Sequence, residues 1–125
     1  MNKKKLFNKN GTRGTESIIK GNSTNLREWN RIKYDWAYNM YRTMLNNFWI
    51  PEEISLSDDI KQFPNLTDDE RFAFDRIIAF LNFLDSIQSE NLPNISRYLT
   101  APELTSLINI QTFQEEIHAQ SYSYI

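Results

Sequence analysis

A nine-residue stretch of this 125-residue sequence, Gln114-Glu-Glu-Ile-His-Ala-Gln-Ser-Tyr122, concentrates the side chains able to do chemistry. On an α-helix each residue advances about 100°, so Glu115 and His118, three apart, stand about 60° from each other on one face. Tyr122, seven residues from Glu115, returns to within about 20° of it. Glu116 lies about 160° from His118 and cannot aim at the same point. Glu-x-x-His is one quarter of a dinuclear carboxylate site in a helix bundle, where two helices give a carboxylate each and two others a Glu-x-x-His each. Oxygen donors with imidazole suit iron or manganese, which can bind and activate dioxygen. The same short spacing also fits a solvated helix face with no ligand.

A second carboxylate stands in unusual company. Asp85 falls on the line Phe74, Ile78, Leu81, Asp85, Gln88, among apolar residues. A carboxylate on a buried stripe is costly unless it is paired or binds a metal. A buried salt bridge or a cap is the plain alternative. Tyr122 and the three tryptophans, Trp29, Trp36 and Trp49, fit ordinary packing as readily as redox roles.

These residues need long helices to position them, and the sequence supplies three. The first is predicted from Asn25, an N-cap with Glu28 three residues on, as in a capping box. Its apolar face reads Trp29, Ile32, Trp36, Met40, Met44, Phe48, and Pro51 stops it. Turn-favouring Ser55, Ser57, Asp58 and Asp59 then mark a connection with room for a short helical turn. The second helix opens on Thr67-Asp-Asp-Glu70, a capping box with three acids at the positive end of the helix dipole. It is expected to stop between Glu90 and Asn94, at Pro93. The third opens on Thr100-Ala-Pro-Glu103, another capping box with proline in the first turn, and carries no stop signal before Ile125. No strand pattern competes, so the fold class is all-α, a helical bundle. Three helices make a thin core that calls for more protein.

Residues 1–24 lack either period and hold all three glycines, so they read as an extended arm ahead of a bundle portion over 25–125. The arm is basic. Residues 1–34 carry nine Lys/Arg against two Glu, whereas 35–125 carry five against fourteen acids. The basic residues are scattered and not interleaved with aromatics, so no nucleic-acid partner is expected. With no cysteine, disulfide scaffolds, zinc fingers and thiol catalysis are excluded. One histidine forces any metal site to lean on carboxylates. No segment approaches the roughly 20 apolar residues of a membrane span. The lysines at the start are not followed by an apolar core of a signal peptide, so a cytoplasmic location is expected.

Taken in order, five segments resemble the small, radical-generating (beta) subunit of class I ribonucleotide reductase. They are Asn47-Phe-Trp-Ile-Pro-Glu-Glu53, Leu66-Thr-Asp-Asp-Glu70, Phe83-Leu-Asp-Ser-Ile-Gln88, Ala101-Pro-Glu103 and Glu115-Glu-Ile-His-Ala-Gln-Ser-Tyr122. The resemblance covers most of residues 22–125. It implies a ferritin-like bundle around a dinuclear iron or manganese centre. Asp85 is then the first carboxylate ligand, Glu115 the bridging ligand and His118 the imidazole ligand. Tyr122 matches the tyrosine oxidised to a stable radical, and Trp49 the tryptophan on the electron route to the large (alpha) subunit. That subunit reduces ribonucleotides to deoxyribonucleotides. The implied partners are the large subunit and a second copy, as a beta homodimer.

The family's other carboxylate and second Glu-x-x-His have no counterpart here, since the sequence has one His. The expectation is therefore an N-terminal part of such a subunit, completed by a chain carrying the second half. The competing expectations are a truncated helical fragment acting only as a binding or structural module, and another ferritin-like dimetal protein.

Overall fold

The computed structural model describes residues 5–13 and 17–125, and the described chain is all-helical, as the periodicity predicts. Four α-helices follow one another: α1 (Asp35–Asn46), α2 (Ser57–Gln62), α3 (Asp68–Ser96) and α4 (Pro102–Tyr124). Short 3-10 turns at Pro51–Glu53 and Phe63–Asn65 fill the connection between α1 and α3. None of these helices is long and apolar enough to cross a membrane.

The start of α3 forms as its sequence predicts. The Thr67 side chain accepts from the Glu70 backbone N–H, and the Glu70 carboxylate accepts from the Thr67 N–H and hydroxyl. Pro93 does not stop this helix, which runs on to Ser96. A proline removes one backbone bond in its own helix. Here that loss falls in the last turns, beside the buried Leu92, and the end tightens through Arg97 N–H to Asn94 O and Tyr98 N–H to Ile95 O.

The other two predicted capping boxes are not made, and tertiary partners explain both. Residues 25–34 are not helical, so α1 begins ten residues later than predicted. Asn25 has φ of 67°, the left-handed region, and its side chain donates to Lys5 O. Glu28 is taken by the Arg13 guanidinium. The start of α1 is set by α4: the buried Glu103 carboxylate accepts the N–H groups of both Lys33 and Tyr34 at 3.1 and 3.0 Å. Thr100 is likewise drawn away from capping. It accepts from Gly21 N–H and donates to Ser17 O, leaving Ala101 as the residue before α4.

The inward face of α1 is also rotated from the expected one. Tyr34, Ala37, Tyr41 and Met44 pack with Leu99, Ala101, Leu104, Leu107, Ile108 and Ile110 to form the core. Trp36 and Met40 face outward. Trp29 still reaches the cluster, but from the loop, stacked on Tyr41 and tilted on Tyr38.

The segment ahead of α1 lies against the turn between α3 and α4. Thr100 N–H bonds Ile18 O, and the Arg27 guanidinium donates to Ser106 Oγ. Two of its stretches run side by side through Thr12 N–H to Asn22 O and Thr24 N–H to Thr12 O. Gly11 permits this approach, since a Cβ there would lie 2.4 Å from the Thr24 nitrogen. Met1–Lys4 and Gly14–Glu16 of the predicted basic arm lie outside the described residues. The core thus sits at the α3–α4 turn, and both helices run on beyond it as a pair.

Candidate metal centre

Beyond that core, α3 presents Asp85 towards α4, which presents Glu115 and His118 at the predicted three-residue spacing. The His118 Nδ1 atom lies 3.6 Å from Asp85 Oδ2 and 3.4 Å from Glu115 Oε2. One ligand atom from each of the three residues lies within 4.8 Å of the other two. Glu116 is exposed on the far side of α4.

This arrangement fits a cation. Two carboxylates face one ring nitrogen, at separations longer than a good N–H···O bond of about 2.9 Å. Both are largely withdrawn from water, with side chains 17% and 15% exposed for Asp85 and Glu115, while His118 is 40% exposed. Like charges brought together in partial burial are costly without a counter-charge. A divalent iron or manganese ion matches the donor types, two carboxylates and an imidazole.

Tyr122 joins the cluster one turn after His118. Its hydroxyl is pushed above the usual tyrosine pKa, first by burial, then by the charge of Asp85, a hydrogen bond to Asp85, and the charge of Glu115. The phenol thus feels both carboxylates of the cluster, Asp85 more than Glu115.

Trp49 arrives from the other side. Its ring stacks on that of His118, with centroids 6.0 Å apart and planes 26° from parallel. Neighbours that the sequence did not place at the site hold it there. The Gln114 side-chain amide donates to Met44 O at the end of α1, at 2.9 Å, and Phe48 stacks on Phe113 at 5.9 Å. Pro51, two residues after Trp49, is fully buried. Gln114 gave no signal in the sequence beyond adjacency to Glu115. The structure thus brings Asp85, Glu115 and His118 together, sets Trp49 against His118 and leaves Tyr122 one turn further along α4.

Comparison with known proteins points the same way. The family described as "Ribonucleotide reductase, small chain" matches residues 26–125. The ribonucleoside-diphosphate reductase subunit beta of Treponema pallidum is 52% identical over 108 residues, covering 86% of this chain and 31% of that protein. The corresponding subunit of Halalkalibacterium halodurans is 42% identical over 125 residues, covering 100% of this chain and 36% of its relative. Among solved structures, the ribonucleotide reductase R2 subunit from Clostridium botulinum superposes with a TM-score of 0.94 at 79% identity, over 99% of this chain and 39% of that one. The chain therefore spans about a third of the length of the curated relatives it matches.

Proposed function

The chain belongs to the ribonucleotide reductase small-chain family, and from that premise we propose that it acts as part of the radical-generating subunit of a ribonucleoside-diphosphate reductase. In this role Asp85, Glu115 and His118 hold one side of a dinuclear iron or manganese centre. Tyr122 is the residue oxidised. Trp49 carries an electron between the centre and the large subunit, where ribonucleotides become deoxyribonucleotides. The convergence of two carboxylates, one imidazole and a phenol at the α3–α4 pair supports this reading most directly.

The metal pair, when bound, supplies dioxygen activation and an oxidising strength that no side chain has. The rest falls to the protein. Asp85 on α3 and Glu115 with His118 on α4 orient the donors from two helices that pack along their length. Tyr122 gives up an electron and its phenolic proton, and the Asp85 carboxylate, its hydrogen-bond partner, accepts that proton. Trp49, stacked on His118, offers an aromatic path out of the site.

One histidine in the chain leaves the second imidazole and the remaining carboxylate to residues beyond it. The working unit is then this chain, a polypeptide carrying the second half of the subunit, the large subunit, and a second copy of the beta subunit.

The test is electron paramagnetic resonance after ferrous iron and dioxygen are added to the chain, alone and with a polypeptide bearing the second half. A tyrosyl signal that needs the second half and is lost in Tyr122→Phe is the expected result. Iron left unbound in both samples, with no signal, overturns the reading.

A further inference from the structure

Two side chains of α4 hold the two ends of α1. Glu103 Oε1 accepts the N–H groups of Lys33 and Tyr34, just ahead of α1, and Gln114 Nε2 donates to Met44 O near its end. In the Lys33–Glu103 and Met44–Gln114 pairs the partners stand 70 residues apart in the sequence. The two helices therefore run in the same direction and in step. Glu103 and Gln114 are eleven residues apart on α4, close to three full turns and about 16 Å along its axis, so both project from one side of it.

The apolar contact between the two helices does not fix that alignment. Tyr34, Ala37, Tyr41 and Met44 along α1, and Ala101, Leu104, Leu107 and Ile108 along α4, recur mostly at steps of three or four. A one-turn slide, about 5.4 Å, again sets apolar face on apolar face, and apolar burial has no direction. The polar contacts differ. A slide either way takes Glu103 from both N–H groups and Gln114 from its carbonyl at once, and polar groups left unpaired in an interface are costly. Buried polar residues specify register between helices in the same way in coiled coils. The alignment matters at the metal centre. Met44 lies five residues before Trp49, and Gln114 four before His118. A displacement of about 5.4 Å is nearly the whole 6.0 Å between the Trp49 and His118 ring centroids, and it ends their stacking. Phe48 on Phe113 is one more apolar contact, without direction of its own.

We infer that Glu103 and Gln114 are positioning residues: they pin α1 to α4 in a single register, and that register seats Trp49 on His118. This rests on the proposed function, in which Trp49 carries an electron, and names what sets the distance that the electron crosses.

The experiment is carbon–proton correlation NMR of the metal-free chain with labelled histidine, alone and with an unlabelled polypeptide bearing the second half. The chain has one His, so a single labelled imidazole is seen. Spectra are taken at about pH 9, well above the ordinary histidine value of about 6.5, so that the ring is neutral in every variant. Trp49→Leu measures the ring-current shift that the indole imposes on His118. Gln114→Leu and Glu103→Leu should each lose most of that shift, although Glu103 lies about four turns from His118. Glu103→Gln should keep it, because its Oε1 still accepts both N–H groups. Leu107→Val, which thins the same packing and touches neither pin, should keep it too. The same pattern is expected in both samples, because both pins and both rings belong to this chain. Lower stability in Gln114→Leu with the His118 signal unmoved overturns the inference, as does an equal move in Leu107→Val or no move in Trp49→Leu. If circular dichroism shows Glu103→Leu unfolded, Gln114→Leu decides. The measurement needs neither metal nor radical, so the tyrosyl signal that tests the proposed function is judged separately.

Discussion

The ring of Trp49 stacks on the ring of His118, with 6.0 Å between centroids. A tryptophan from the segment after α1 and a proposed metal ligand on α4 are thus direct neighbours. A paramagnetic ion at His118 must quench Trp49 far more than Trp29 or Trp36. Titrating manganese(II) into the chain should remove the part of the tryptophan emission that Trp49→Phe already lacks. Equal fractional quenching in the wild type and in Trp49→Phe would count against the ion sitting at His118.

That stack depends on an anchor that carries no charge. Gln114 donates its amide to Met44 O, tying the end of α1 to α4 one residue before Glu115. Gln114→Leu keeps the bulk and removes the bond, at an expected stability loss of about 1 kcal/mol. The specific outcome is greater access of acrylamide to Trp49, read from fluorescence. Unchanged quenching, with the same loss of stability, would mean that Phe48 and Phe113 hold the segment unaided.

Glu103 is the second anchor, and its removal should be the more damaging. Its buried carboxylate accepts two backbone N–H groups that open α1. Glu103→Ala leaves both half-buried N–H groups without this partner, at an expected cost of about 1 kcal/mol for each lost hydrogen bond. Thermal unfolding followed by circular dichroism should show a larger drop than for Gln114→Leu. A drop no greater than that of an exposed substitution such as Glu116→Ala would mean water replaces the carboxylate.

Glu103 also marks where sequence reading reached its limit. The fold class, the α3 start and the grouping of Glu115, His118 and Tyr122 follow from spacing, because they are set within one helix. Asp85 was legible as a carboxylate on an apolar stripe. The α1 start was not, because local rules read Asn25 and Glu28 as a cap while Glu103, some seventy residues on, sets the boundary. The inward face of α1 was missed for the same reason. Trp29, Trp36 and Met40 keep helical spacing, yet packing against Leu104 and Leu107 selects Ala37 and Tyr41. Thr100 repeats the lesson, since its contacts with the N-terminal segment override the local cap signal.

The one predicted cap that did form gives a pH-dependent test. Two hydrogen bonds from Thr67 hold the Glu70 carboxyl below its usual range. A carboxyl lowered in the folded state contributes stability above its ordinary value, and loses it as pH falls through the lowered one. Glu70→Gln should therefore flatten part of the acid limb of stability against pH. Thr67→Ala should cost about 1 kcal/mol at neutral pH. If acid sensitivity is identical in Glu70→Gln, the box contributes nothing that depends on charge.

Tyr122 shifts in the opposite direction, and its partner is a proposed ligand. Burial raises its hydroxyl first, followed by Asp85 and Glu115. A raised tyrosine contributes stability that is whole below its ordinary value and is lost as pH climbs through the raised one. Its proton is thus firmly held in the metal-free chain. Labelling tyrosine at Cζ and titrating by carbon NMR separates the six tyrosines, with Tyr122→Phe identifying the resonance. Tyr122 should titrate above the usual value near 10. In Asp85→Asn it should move down but stay raised, because burial, the largest cause, remains. If Asp85→Asn leaves that titration where it was, the phenol does not face Asp85, and the assignment of that carboxylate as its proton acceptor fails with it.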